Sequence, residues 1–183
     1  MRPLAKKSLP VSPPSAPAAP ELASYQGLTF GRERLAHIAQ ELPPLFARHH
    51  AELAVEPKRA PLAPDWDRYF ELDLLGVLHI LTARDGPALV GYVFNLIGPH
   101  MHKRSTRWCH VDMYWLDPGY RVGWGGVKLL RENEKLVKAL GARKIIMVEK
   151  AHFHNADGRK VGVLLKRMGY AVEDIAYGKW IGD

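Results

Sequence analysis

Between Leu116 and Gly126 the chain reads LDPGYRVGWGG, four glycines, a proline and an arginine in eleven residues. An apolar, strand-like run precedes this stretch and a run with helical spacing follows it. A glycine-rich turn that ends a strand and opens a helix leaves several backbone N–H groups without acceptors at the positive end of the helix dipole, and such a place receives an anion. Glycine suits it because a phosphate must approach the backbone with no side chain in the way. Taken alone, the same glycines also serve tight packing of a strand on a helix. Two familiar nucleotide patterns do not apply. No Lys-Ser or Lys-Thr follows the glycines, and no G-x-G-x-x-G opens an N-terminal βαβ unit.

The elements around the turn follow from periodicity. From Arg32 to Phe46, Leu35, Ile38, Ala39, Leu42, Leu45 and Phe46 recur at helical spacing, interrupted by Pro43 and Pro44, with a kink or restart expected at Pro44. DWDRYFELDLLG predicts a short helix with Asp65 as N-cap and Gly76 as its stop. The period then changes to that of strands. VLHILTA and ALVGYVFNLI flank RDGP, whose Asp85-Gly86 pair signals a hairpin. RWCHVDMYWL reads as a third strand, and its aromatics predict burial on both faces. A helix from about Gly123 to Leu140 closed by Gly141, a strand RKIIMVE, a helix DGRKVGVLLKRM closed by Gly169 and a last strand YAVEDIAYGKWI complete the order. The expected fold class is therefore α/β, a mixed, mainly antiparallel central sheet flanked by helices.

Composition limits the function classes. A chain of 183 residues that is 47% hydrophobic buries one core, so one domain over residues 21–183 is expected. Residues 1–20, rich in proline and alanine, read as an extended basic arm or tail, with no role or with a docking role on a protein partner. No run reaches membrane-span length and no apolar secretory h-region opens the chain, so the expected location is cytoplasmic, without a membrane partner. Cys109 is the sole cysteine, which rules out an intrachain disulfide and a cysteine-based zinc site. The formal charge is +7, of which Arg2, Lys6 and Lys7 in the arm supply +3. The remainder suits an anionic small ligand and falls short of the dense basic stripe of a nucleic-acid binder.

LDPGYRVGWGGVKLLRENEKLVKALGARKIIM, the hairpin LHILTARDGPALVGYVFNL and the helix ending LLKRMGY together resemble the GNAT superfamily of N-acyltransferases over about residues 31–183. The segment also resembles a subgroup of such proteins often encoded by bacteriophages. The resemblance implies acetyl-CoA as acyl donor, an amine acceptor that the sequence does not identify, and direct transfer in a ternary complex without a metal. It places coenzyme contacts at Leu116, Arg121, Val122, Gly123, Trp124, Gly125 and Gly126. Two registers fit the family turn motif Q/R-x-x-G-x-G/A: one puts Tyr120 at its first position, the other puts Arg121 there and Trp124 at the first glycine. In both, the amides of Val122 to Gly126 face the pyrophosphate. Aligning Gly169 with the family glycine puts Leu165 where many members carry the tyrosine that protonates the leaving thiolate.

Acyl transfer to an amine needs a base for the amine, a polarised carbonyl and a proton for the thiolate. By two-residue alternation His110, Asp112 and Tyr114 share a strand face, and the resemblance makes this the strand that often bears a carboxylate base. Asp112 is the expected base, with His110 beside it; the alternative is a structural hydrogen-bond acceptor. His100 and His102, and likewise His152 and His154, are expected near the acceptor as ordering groups, as loop residues, or as metal ligands together with Asp112. Lys103, Arg104 and Arg107 read as a solvated loop or as a lure for an acidic substrate, and Tyr170 and Tyr177 as replacements for the missing acid. The rival reading is a GNAT-like module without turnover, a structural or interaction protein tethered by its arm, for instance in a phage particle.

The arm lacks core residues, so its removal is expected to cost little. Deleting residues 1–20 should leave the thermal midpoint within a few degrees, measured by calorimetry; loss of folding would show that the domain boundary lies elsewhere.

Overall fold

The computed structural model describes residues 23–25, 27–150 and 161–181. A six-stranded sheet contains β1 (Ala23–Tyr25), β2 (Leu28–Glu33), β3 (Leu78–Asp85), β4 (Ala88–His100), β5 (Lys103–Leu116) and β6 (Lys144–Ile146), in the order of the chain. Every neighbouring pair is antiparallel except β5 with β6. The mixed, mainly antiparallel sheet is thus the expected one. Its helices are α1 (Leu35–Ile38), α2 (Leu42–Leu53), α3 (Trp66–Leu74), α4 (Gly125–Ala139) and α5 (Val161–Arg167).

Each face of the sheet buries its own layer. Leu28, Phe30, Leu81, Val93, Cys109 and Val111 pack against Leu129, Leu136 and Val137 of α4. On the other face Leu35, Ile38, Leu42 and Phe46 cover Leu78, Ile80, Tyr92, Phe94 and Trp115. In the middle of the α4 layer lies one polar contact. Asn95 and Asn133 exchange side-chain amide bonds of 2.8 and 3.0 Å, and Asn95 Nδ2 also donates to the His79 carbonyl. Cys109 Sγ donates to Asn95 Oδ1 at 3.3 Å. Asn95 is fully buried and Asn133 2% exposed, so each amide relies on the other for satisfaction.

Several predicted elements take their expected form. Asp65 caps α3 by accepting from the Arg68 N–H at 2.9 Å. Gly76, Gly86, Gly141 and Gly169 have φ values of 66°, 54°, 82° and 97°, the left-handed turns that glycine permits.

Four expectations are corrected. The first helix does not begin at Arg32: residues 28–33 pair with β3 as a strand, α1 is a single turn, and the restart falls at Leu42, with proline in the first turn where no N–H is needed. The third strand starts at Lys103, four residues early, because β4 and β5 form one long hairpin turning at residues 101–102. Only residues 144–146 of RKIIMVE pair as a strand. The last strand is absent: residues 170–181 form no ladder, and Val172, Ile175, Tyr177 and Ile181 are more than two-thirds exposed. Residues with strand propensity make a strand only where an edge is there to pair with, and three-residue β6 offers little. The arm, residues 151–160 and with them His152 and His154 lie outside the described residues.

Removing one partner of the Asn95–Asn133 pair leaves the other buried and unsatisfied. Asn133→Ala should cost about 2–3 kcal/mol, read as a lower midpoint in thermal or urea unfolding.

Candidate active site

Strand β5 runs along β6 for only three pairs, Trp108 with Lys144 to His110 with Ile146. From there β5 continues six residues to Leu116 while the neighbouring chain leaves the ladder, so the two parallel strands part. The Tyr114 hydroxyl spans the gap, donating to the Val148 carbonyl at 3.5 Å. Burial, and then the charge of Glu149, push this phenol up to about 12.

At the parting, β5 carries a bulge. Met113 pairs with Phe94 and Val111 with Asn95, so Asp112 is the extra residue between them. The bulge overturns the simple alternation. Tyr114 turns to the α4 layer, whereas Met113 packs in the opposite layer with Tyr69 and Phe94, and Tyr69 donates to Asp112 Oδ2 at 2.9 Å. His110 and Asp112 are both exposed rather than buried. Burial first, and then the Asp112 charge, raise the Tyr69 phenol above its ordinary range, so it stays a donor to the carboxylate.

The strand then delivers the chain to the glycine turn. Residues Pro118–Tyr120 form a 3-10 turn, Gly123 has φ 71°, and Trp124 is the N-cap of α4. The Tyr120 and Arg121 amides are taken by the Asp117 and Pro118 carbonyls, and the Trp124 amide donates to the Tyr25 hydroxyl at 3.2 Å. Among the described residues, the amides of Val122, Gly123, Gly125, Gly126 and Val127 have no acceptor. The last three belong to the first turn of α4, where no intrahelical acceptor exists.

The two helix glycines serve different ends. A Cβ on Gly125 would stand 2.1 Å from the Tyr120 carbonyl oxygen, so this glycine lets the turn close on itself. A Cβ on Gly126 would meet nothing within 4 Å. Packing explains the first; open space beside unpaired amides fits an anionic group at the second.

The Arg121 guanidinium is committed to the protein. Its Nε donates to the Leu116 carbonyl at 2.6 Å, and its two terminal nitrogens grip both oxygens of Glu52 on α2. Trp115 Nε1 donates to the same carboxylate at 2.9 Å. Burial would raise the Glu52 pKa, but the hydrogen bonds from Arg121 and Trp115 outweigh it and hold the carboxyl below its ordinary range. Arg48 pairs with Asp117 at 2.6 Å and also lies over Trp115. These contacts tie α2 to both ends of the strand-to-turn junction. Glu52 and Arg48 carry no signal in the sequence, because helical spacing says nothing about a partner some seventy residues away.

His100 and His102 sit at the hairpin end, where the His102 N–H donates to His100 Nδ1 at 3.2 Å. Among the described residues no group of three or more His, Cys, Asp or Glu side chains is arranged to hold a metal. Leu165 is buried, and burial, and then the Glu134 charge, raise the Tyr170 phenol above its ordinary range. Among the described residues no helix is long and apolar enough to cross a membrane.

No protein-family model and no curated protein matches the chain. Solved structures do. An aminoglycoside acetyltransferase from an uncultured soil metagenomic sample superposes with a TM-score of 0.66 at 13% identity, over 85% of this chain and 99% of that one. The chain has the GNAT acetyltransferase fold. A ribosomal-protein-alanine N-acetyltransferase from Brucella melitensis gives 0.62 at 19% identity, over 85% and 99%. A predicted acetyltransferase with acetyl-CoA from Clostridium acetobutylicum gives 0.60 at 16% identity, over 85% and 94%. Within this GNAT fold, the parted strands and the open glycine turn lie side by side at one end of β5.

The two glycines separate by mutation. Gly125→Ala should destabilise the fold by about 2 kcal/mol or more through the Tyr120 clash, while Gly126→Ala should be neutral or slightly stabilising; paired thermal melts decide.

Proposed function

We propose that the chain is an acyl-CoA-dependent N-acyltransferase that uses acetyl-CoA and acts on an amine in the cytoplasm. The observation that carries this reading is the row of unpaired amides at Val122, Gly123, Gly125, Gly126 and Val127, with open space over Gly126. These amides, with the α4 dipole behind them, would hold the coenzyme pyrophosphate. Arg121 contributes through its backbone position and through its grip on Leu116 and Glu52, which shapes the turn.

Acetyl-CoA supplies a thioester carbon to the amine nitrogen: the C–N bond forms, the C–S bond breaks, the amine loses a proton and the thiolate gains one. Asp112 is the proton acceptor. Its bulge lifts it out of the ladder next to the parting strands, Oδ2 is held by Tyr69, and Oδ1 has no partner among the described residues. His110, two residues earlier, orders the amine or a water beside it. With a buried leucine, Leu165, at the usual acid position, the thiolate proton comes from water or from the Tyr114 hydroxyl at the parting.

The same leucine at the usual acid position favours the second reading, a coenzyme-binding module without turnover that is tethered by its arm, as in a phage particle. Coenzyme A found to co-purify with the protein by mass spectrometry would support both readings. Turnover separates them.

Gly126→Asp adds a negative charge where the pyrophosphate should lie, at a helix position where acid is otherwise tolerated. It should weaken coenzyme A at least about tenfold, or 1.4 kcal/mol, in calorimetry while the fold survives. Unchanged affinity would remove the site from this turn.

Asp112→Asn keeps shape without basicity. It should lower kcat roughly a hundredfold and spare coenzyme affinity, as expected when general-base assistance is lost. Full turnover would make Asp112 structural.

A further inference from the structure

At the other end of β5, on the face that carries Asp112, a cavity of about 430 Å³ is walled by His100, His102, Trp108 and His110 over an apolar floor that includes Leu96 and Pro99. We propose that this cavity binds an acidic group of the acceptor, so that the substrate class is a small amine bearing a carboxylate or a phosphate. The inference rests on the acyltransferase reading and specifies its acceptor.

Among the described residues, no carboxylate lines the cavity. The Trp108 ring meets His100 at a tilt of 35° with 3.9 Å between centroids, and Lys144 Nζ and Lys103 Nζ lie 4.5 and 5.3 Å from its centre. Lys144 is paired with Glu173. His100, His102, His110 and Lys103 form no ion pair among the described residues. Desolvation first, and then the like charges of His102, Lys103, His110 and Lys144, hold the His100 imidazole below its ordinary range. An anion among these groups would relieve that repulsion and gain their donors, whereas a cationic group would add to it.

Placement agrees with the chemistry. His110 borders both the cavity and the Asp112 bulge, and two residues of strand span roughly 6–7 Å. A small molecule can therefore set its acid among the imidazoles and Lys103 while its amine faces Asp112. Arg107 takes no part: its side chain reaches Gly141, on the α4 side of the sheet.

The test measures thiol release from acetyl-CoA with matched amines: glutamate for the carboxylate, O-phosphoserine for the phosphate, glutamine and serine as neutral counterparts, and spermidine as a cation. At least one acid should exceed its neutral counterpart tenfold or more in kcat/KM, and the two acids tell carboxylate from phosphate. The double variant His102→Gln, Lys103→Gln should erase that preference without altering acetyl-CoA affinity. Preference for neutral or cationic amines, or a preference that survives the double variant, overturns the proposal.

Loss of acetyl-CoA binding would instead strike the acyltransferase reading. If coenzyme binds and no amine turns over, the cavity is decided by imidazole NMR of the coenzyme-loaded protein titrated with glutamate and with inorganic phosphate. Shifts at His100 and His110 that the double variant abolishes sustain it, and unmoved resonances overturn it.

Discussion

The reciprocal amide pair between Asn95 and Asn133 fixes how the helix that opens at the glycine turn lies on the sheet. Asn95 stands at the register shift opposite the Asp112 bulge, and Asn133 lies two turns into α4. An apolar layer tolerates sliding by small steps, but a buried amide pair is satisfied in one register only. One contact therefore relates the first turn of α4 to the bulge, which is the relation that a coenzyme held at one and an amine held at the other would require.

A second tie acts from the opposite face. Glu52 receives Arg121 and Trp115, and Arg48 reaches Asp117, so α2 grips the last residues of β5 and the first residues of the turn. Both charged pairs are partly exposed, so each contributes modestly to global stability. Their value is positional. Together they keep the turn open on the side where its amides have no acceptor.

Much of this arrangement was legible from the residues. The hairpin through Asp85-Gly86, the cap at Asp65, the glycine stops at Gly76 and Gly141 and the strand-to-helix turn each carry a local signal that tertiary packing did not override. What was not legible depended on partners. Residues 28–33 carry no strong alternation and became a strand because β3 offered an edge. Residues 170–181 carry the residue types of a strand and found none. The Asp112 bulge arises from a mismatch between two strands, so neither strand shows it alone, and it moved Tyr114 to the face opposite that predicted by alternation. Gly125 and Gly126 look alike in the sequence; only the position of the Tyr120 carbonyl tells the packing glycine from the open one.

Strand order in space follows strand order in the chain, from β1 to β6. Each strand is therefore laid on an edge left by its predecessor, and only β6 requires a crossover in parallel. Such a sheet can grow by successive additions as the polypeptide emerges, with few long loops to close before a contact forms. The junction that holds the proposed site is then the last part to be completed, since it waits for α4 and β6 to dock beside an antiparallel platform already in place.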